Sequence, residues 1–148
     1  MAWTSLISQL FEASEGLLAT RDNLQALVAR TTDQDDRLRL SLVMREIDVI
    51  RLTLLYEYEL LDTSHIVQEA FIHLYYARRL EILQLSREQI RGHCDGLDGR
   101  VSGMKDEEAL REITHAREIV QASLRCMDDI IRALGQDIVV EGKQQTRH

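Results

Sequence analysis

The sequence contains no proline, and aromatic residues make up only 5% of its 148 positions. A chain built from β-strands normally uses more turn-forming residues and more aromatic and β-branched runs. Hydrophobic residues still account for 45% of the chain, and Leu, Ile and Val dominate them. These proportions favour an all-α protein, and the length is that of one domain with a substantial core.

Other absences restrict the partners and the compartment. No run approaches 18 uncharged apolar residues, so no membrane-spanning helix is predicted, and the first basic residue is Arg21, which does not fit a secretory signal. The two cysteines, Cys94 and Cys126, form neither a CxxC pair nor a disulfide framework. The net charge of −7 argues against nucleic acid and anionic membranes as partners. We therefore expect a cytoplasmic protein.

Apolar residues recur at spacings of three and four along four segments, which is the pattern of amphipathic helices. The predicted helices span residues 4–30, 35–61, 64–91 and 105–134. Short links between such helices favour an antiparallel up-down four-helix bundle with coiled-coil-like packing. The bundle is expected within residues 1–135 as a single domain, because Gly135 is a suitable C-terminal cap. Residues 136–148 are expected to form a disordered tail.

The most apolar and aromatic stretch covers residues 49–76 and holds all four tyrosines. Its only polar break is at residues 62–65, where the apolar register shifts, so we favour a turn there between the second and third helices. The alternative is one continuous helix of about 60 residues, roughly 90 Å long, giving a long helical hairpin that dimerises into a bundle. Four of the seven glycines fall in residues 92–103, which predicts a flexible loop before the fourth helix.

The second and third helices carry apolar residues on more than one side. In the second helix, a seven-residue repeat through Leu40, Ile47 and Leu54 is accompanied by a second apolar stripe. A helix covered from one side does not need a second stripe, which favours a central position in a bundle or an oligomer interface. The residues expected at such an interface are Leu42, Val49, Tyr56, Ile72, Tyr76 and Leu83.

No motif in the chain is diagnostic of a reaction. The two-sided helices instead favour a protein–protein interaction module, meaning an adaptor, scaffold or chaperone-like bundle that self-associates as a homo-oligomer. Such a module needs no cofactor, and an enzyme is the less favoured interpretation.

The main alternative is a metal-binding bundle, including an oxidoreductase. Glu112 and His115 form a Glu-x-x-His motif, whose spacing places both side chains on one helix face. Helical bundles that hold two iron or manganese ions use two such motifs together with further glutamates. Iron, manganese or zinc would be the expected metal here. A second Glu-x-x-His motif is missing, so the first expectation remains a protein without a cofactor.

Charged residues interrupt the predicted apolar seams at Arg21, Glu57 and Arg117. A buried charge is unfavourable unless it is paired. Such charges often fix the register of a seam or the choice of partner. The alternative is that each side chain extends to the edge of the bundle. Arg78 and Arg79 follow two tyrosines and suggest a third function, nucleic-acid binding, against which the acidic composition argues.

Overall fold

The computed structural model describes residues 2–63 and 72–146, and this part of the chain is helical without any strand. A short 3₁₀ helix, Ala2–Ser5, comes first. The α-helices that follow are α1 (Ile7–Arg30), α2 (Gln34–Asp62), α3 (Ile72–Val101) and α4 (Glu107–Thr146). The prediction of an all-α fold is confirmed. The predicted start of the third helix, at residue 64, lies outside the described residues.

The four helices form an antiparallel bundle in which α1 and α3 each pack between α2 and α4. Tyr75, near the start of α3, donates a 2.7 Å hydrogen bond to the carbonyl oxygen of Leu60 near the end of α2. At the opposite ends of the same helices, the Arg39 guanidinium donates to the carbonyl oxygen of Arg100. These two contacts show that α2 and α3 run in opposite directions, so the continuous 60-residue helix is excluded and the predicted bundle is confirmed.

The start of α2 is fixed by Asp33. This residue has an extended backbone, and its carboxylate accepts a 3.0 Å hydrogen bond from the backbone N–H of Asp36. That bond satisfies one of the donors left free at a helix start, and it holds the pKa of Asp33 below its ordinary value. Only residues 31–33 separate α1 from α2.

The glycine-rich segment is helical, so the predicted loop at residues 92–103 is wrong. Helix α3 continues through three glycines as far as Val101, and only residues after Val101 form the link to α4. Each helical glycine is unfavourable by about 1 kcal/mol relative to alanine, but Cys94 and Leu97 of the same segment are buried in the core. Gly103, with a φ of 85°, provides the left-handed conformation that the link requires.

The longer α3 shifts the register between α3 and α4. The Arg117 guanidinium lies 2.9 Å from the carboxylate of Asp98, so the chain reverses direction only after Val101. His115 therefore lies near the end of α3.

Helix α4 also extends farther than predicted. It passes through Gly135 and continues to Thr146. The expected helix end at Gly135 is therefore wrong, and the expected disordered tail is wrong for residues 136–146. The indole N–H of Trp3 donates a 2.8 Å hydrogen bond to the carboxylate of Asp137, and Ile138 packs against the core. The start of the chain thus holds this part of α4 in place.

Candidate interaction surface

The six predicted interface residues fall into different environments. Tyr76 and Leu83 are 1% and 0% exposed, so their assignment to an interface is wrong. Both lie on the inner face of α3, where the Tyr76 ring packs edge-on against Trp3 with a centroid distance of 5.8 Å. The side chain of Ile72 lies outside the described residues.

The remaining three predicted residues, Leu42, Val49 and Tyr56, lie on the outer face of α2. Leu42 is half-buried, whereas Val49 and Tyr56 are 42% and 58% exposed. They belong to a longer row, which we call the outer stripe: Leu38, Leu42, Arg45, Val49, Leu52, Tyr56 and Glu59. The spacing along the outer stripe alternates between four and three residues, as it does along the seam of a coiled coil. The bundle core lies on the opposite side of α2.

The residues predicted for the interface include only part of the outer stripe. Leu52 is 52% exposed and Leu38 is 60% exposed, and both continue the row at the spacing that Val49 and Tyr56 define. The alternating spacing was the signal that could have found them, together with the charged residues Arg45 and Glu59 in the same row.

The two charged members of the outer stripe differ from the charges beside it. Asp48, on the side towards α1, is paired with Arg21 and Arg51. Glu46, on the side towards α3, contacts the His93 ring. Arg45 and Glu59 are exposed and form no ion pair with any residue that the structure describes.

A groove between α2 and α3 borders the outer stripe. Its volume is about 410 Å³, and its lining includes Val49, Leu52 and Tyr56 from α2 and Ile82, Ser86 and Gln89 from α3. Leu85 of α3 is 61% exposed on the same side of the molecule as Ile82. The exposed apolar surface therefore extends from α2 onto α3.

A buried ion pair lies beneath this groove. The carboxylate of Glu57 is fully buried and accepts hydrogen bonds from the Arg79 guanidinium at 2.6 Å and from the Ser86 hydroxyl at 2.8 Å. Arg79 is only 6% exposed. Because its charge is already paired inside the protein, Arg79 is not available to bind a phosphate group, and Arg78 is paired with Glu81. The suggested nucleic-acid site is therefore not supported.

The other two charges in the apolar seams are paired as well. Arg21 lies 3.4 Å from Asp48, and Arg117 lies 2.9 Å from Asp98. Both arginines are partly exposed, so they combine an ion pair with a position at the edge of the bundle. Among the three seam charges, only Glu57 lies deep in the core.

The residues suggested as metal ligands lie apart from other suitable ligands. The carboxylate of Glu112 accepts a hydrogen bond from the amide of Asn23 at 3.3 Å, and His115 is exposed. Within the described residues, no group of three or more His, Cys, Asp or Glu side chains could hold a metal ion. This arrangement offers Glu112 and His115 no further ligands from the described part of the bundle.

The two cysteines are buried thiols of the core. Burial raises the pKa of the Cys94 thiol, and Asp98 raises it further. Burial raises the pKa of Cys126 to about 11, and its thiol donates a hydrogen bond to the carbonyl oxygen of Leu6. A raised pKa keeps a thiol protonated at neutral pH and hence a poor nucleophile.

Comparison with known proteins gives no relative from which a function could be inferred. No family model matches the chain, and no curated protein or solved structure matches it significantly. None of the helices in the described ranges combines the length and apolarity needed to cross a membrane. The physical features of the outer stripe are therefore the basis for a functional proposal.

Proposed function

We propose that this protein is a cytoplasmic protein–protein interaction module that self-associates through the outer stripe of α2 and acts as an adaptor or scaffold. The observation that supports the proposal is the row of exposed apolar residues at coiled-coil spacing on a face that the bundle does not cover. Partner proteins commonly bind such grooved apolar surfaces through a helix.

The distribution of exposed apolar side chains supports the choice of surface. The described residues contain eight large apolar side chains that are exposed, and four of them lie on α2, at Leu38, Val49, Leu52 and Tyr56. Helix α4 contributes only Val139 to the same set. Single exposed apolar residues are ordinary on a soluble protein, whereas a contiguous apolar surface indicates an interaction site.

The energetic reason for association is the burial of these side chains. Removing apolar surface from water contributes about 25 cal/mol per Å², and two copies of one stripe would bury it on both partners. Part of this gain is offset by the loss of translational and rotational freedom on binding. The strength of self-association should therefore depend steeply on each large apolar residue in the middle of the stripe.

The test is the mass of the protein in solution, measured by light scattering on a sizing column over a range of concentrations. Wild-type protein is expected as a dimer or a larger assembly of the 17.1 kDa chain. Leu52→Asp should give a monomer with unchanged helical content, because a buried charge opposes association while Leu52 is more than half exposed in the single chain.

Val139→Asp is the matched control, since Val139 is 56% exposed on α4 and α4 lies diagonally across the bundle from α2. This variant should keep the wild-type mass. A wild-type protein that stays monomeric at every concentration would overturn self-association, and so would a Leu52→Asp variant with the wild-type mass.

A further inference from the structure

The outer stripe is self-complementary in charge as well as apolar. Arg45 and Glu59 are its two charged members, and each lies seven residues from Leu52, on opposite sides. Seven residues are two helical turns, or about 10.5 Å along the axis. A two-fold axis through Leu52 would therefore place Arg45 of one chain at the level of Glu59 of another chain, twice in the same interface.

We infer that a second copy of this chain packs its α2 against the outer stripe in antiparallel orientation, with Leu52 at the two-fold axis and Arg45 facing Glu59 of the second copy. The inference rests on the proposed function and specifies the geometry of the self-association. The partner that binds the outer stripe is thus a second molecule of this protein.

Parallel packing of the two α2 helices is less favourable. An in-register parallel pair would place Arg45 beside Arg45 and Glu59 beside Glu59, so both charged levels of the stripe would be repulsive. Like charges at such positions select against a helix orientation, and opposite charges select for it.

Antiparallel packing with the two-fold axis at another position along α2 is also less favourable. A two-fold axis halfway between Arg45 and Leu52 would place each arginine against a leucine of the other chain, and a charge without a partner in an apolar contact is costly. Only the axis at Leu52 gives opposite charges to both Arg45 and Glu59.

The three central apolar members of the stripe fit the same register. With the axis at Leu52, the two copies of Leu52 meet each other, and Val49 lies beside Tyr56 of the second copy on both sides of the axis. An aromatic ring beside a β-branched side chain is a favourable contact because it buries a large apolar area. The centre of the interface is then apolar, and the charge pairs flank it.

The charges next to the stripe do not oppose this arrangement. Asp48 is paired with Arg21 and Arg51 of its own chain, and Glu46 contacts His93 and Arg100. Arg45 and Glu59 lack an ion-pair partner among the described residues of their own chain. The antiparallel dimer supplies these partners.

The test is a charge-reversal cycle measured by sedimentation equilibrium of the full chain. Arg45→Glu and Glu59→Arg should each weaken dimerisation by roughly tenfold or more, because each replaces two attractive contacts with two repulsive ones. The double variant Arg45→Glu/Glu59→Arg should recover most of the wild-type affinity. Arg125→Glu, a reversal at an exposed position of α4, is the control and should leave the affinity unchanged.

The outcomes separate this geometry from the proposed function. If Leu52→Asp dissociates the assembly but both single reversals keep the wild-type affinity, self-association stands and the antiparallel pairing is wrong. If the single reversals weaken the dimer and the double variant does not recover, Arg45 and Glu59 do not face each other. A wild-type monomer would overturn both. Circular dichroism of each variant checks that the bundle remains folded.

Discussion

The inner and outer faces of α2 share one sequence pattern but have different surroundings. On the inner face, Leu40, Ile47 and Leu54 recur every seven residues, and each is fully buried. On the outer face, Leu38 and Leu52 belong to a row of similar spacing and remain more than half exposed. The same spacing of apolar residues can therefore form part of the core of one chain or a contact between two chains.

Charged residues make the difference between the two faces sharper. Glu57, on the inner face, is fully buried and paired with Arg79 at 2.6 Å. Arg45 and Glu59, on the outer face, are exposed and unpaired within the described residues. A charge that is buried in the folded chain needs a partner of opposite charge in the same chain. An exposed charge stays solvated and can instead pair with an opposite charge on another chain.

The strongest test of the inner face is Arg79→Met, which leaves the buried carboxylate of Glu57 without its cation. We expect a loss of about 3–5 kcal/mol in the free energy of unfolding, since breaking a buried pair isolates a charge in the core. Urea unfolding followed by circular dichroism measures this loss.

The control for this variant is Glu57→Met/Arg79→Met, which removes both charges and should restore most of the stability. A double variant as unstable as Arg79→Met alone would show that the loss came from packing rather than from the isolated charge.

The second test compares one leucine from each face. Leu54→Ala creates a cavity in the core and should lower the free energy of unfolding by about 2–5 kcal/mol. Leu52→Ala should change the stability of the monomer by less than about 0.5 kcal/mol, because Leu52 is exposed.

The relative effects of the two variants should be reversed when self-association is measured. Leu52→Ala should weaken the assembly more than Leu54→Ala does. Unfolding is measured at a concentration where the protein is monomeric, so that the two properties stay separate. Equal losses of stability would mean that the two faces do not differ as the structure indicates.

The smallest expected effect concerns the start of α2, which both faces share. The hydrogen bond from the Asp36 N–H lowers the pKa of Asp33 from its ordinary value of 3.8. The carboxylate therefore contributes stability above pH 3.8, and this contribution is lost as the pH falls through the lowered pKa of the folded state. Asp33→Ala should lower the Tm slightly at pH 7, with a difference from wild type that shrinks below pH 3.8.

Asp33→Asn is the matched control, because asparagine caps a helix but does not titrate. The pH dependence of its Tm should lack the contribution from residue 33. Thermal unfolding at pH 7 and at pH 2.5 tests both variants. An Asp33→Ala difference of the same size at both pH values would exclude the assigned role of the carboxylate.

Patterns in the local sequence predicted much of the fold. They failed where core packing opposed the low helix propensity of glycine. The spacing of apolar residues predicted the four helices, and the cost of burying Glu57 predicted a partner of opposite charge. The clustering of glycines wrongly predicted a loop at residues 92–103, because the burial of Cys94 and Leu97 favours a longer α3.

The interface prediction failed in a similar way. Tyr76 and Leu83 are apolar and lie on a two-sided helix, which is all that the sequence can show about them. The structure shows both side chains buried, and the Tyr76 ring packs against Trp3 from the start of the chain. Leu42, Val49 and Tyr56 remain on the outer face of α2, and their role in self-association stays a prediction.

The sequence by itself determined that the protein is a helical bundle and that α2 has two apolar faces. Both follow from spacings of three and four residues, which act within a single helix. Only the tertiary structure decided which face is covered and that Arg79 is the partner of Glu57. Those features depend on where distant helices lie, and helical periodicity carries no information about the position of a neighbouring helix.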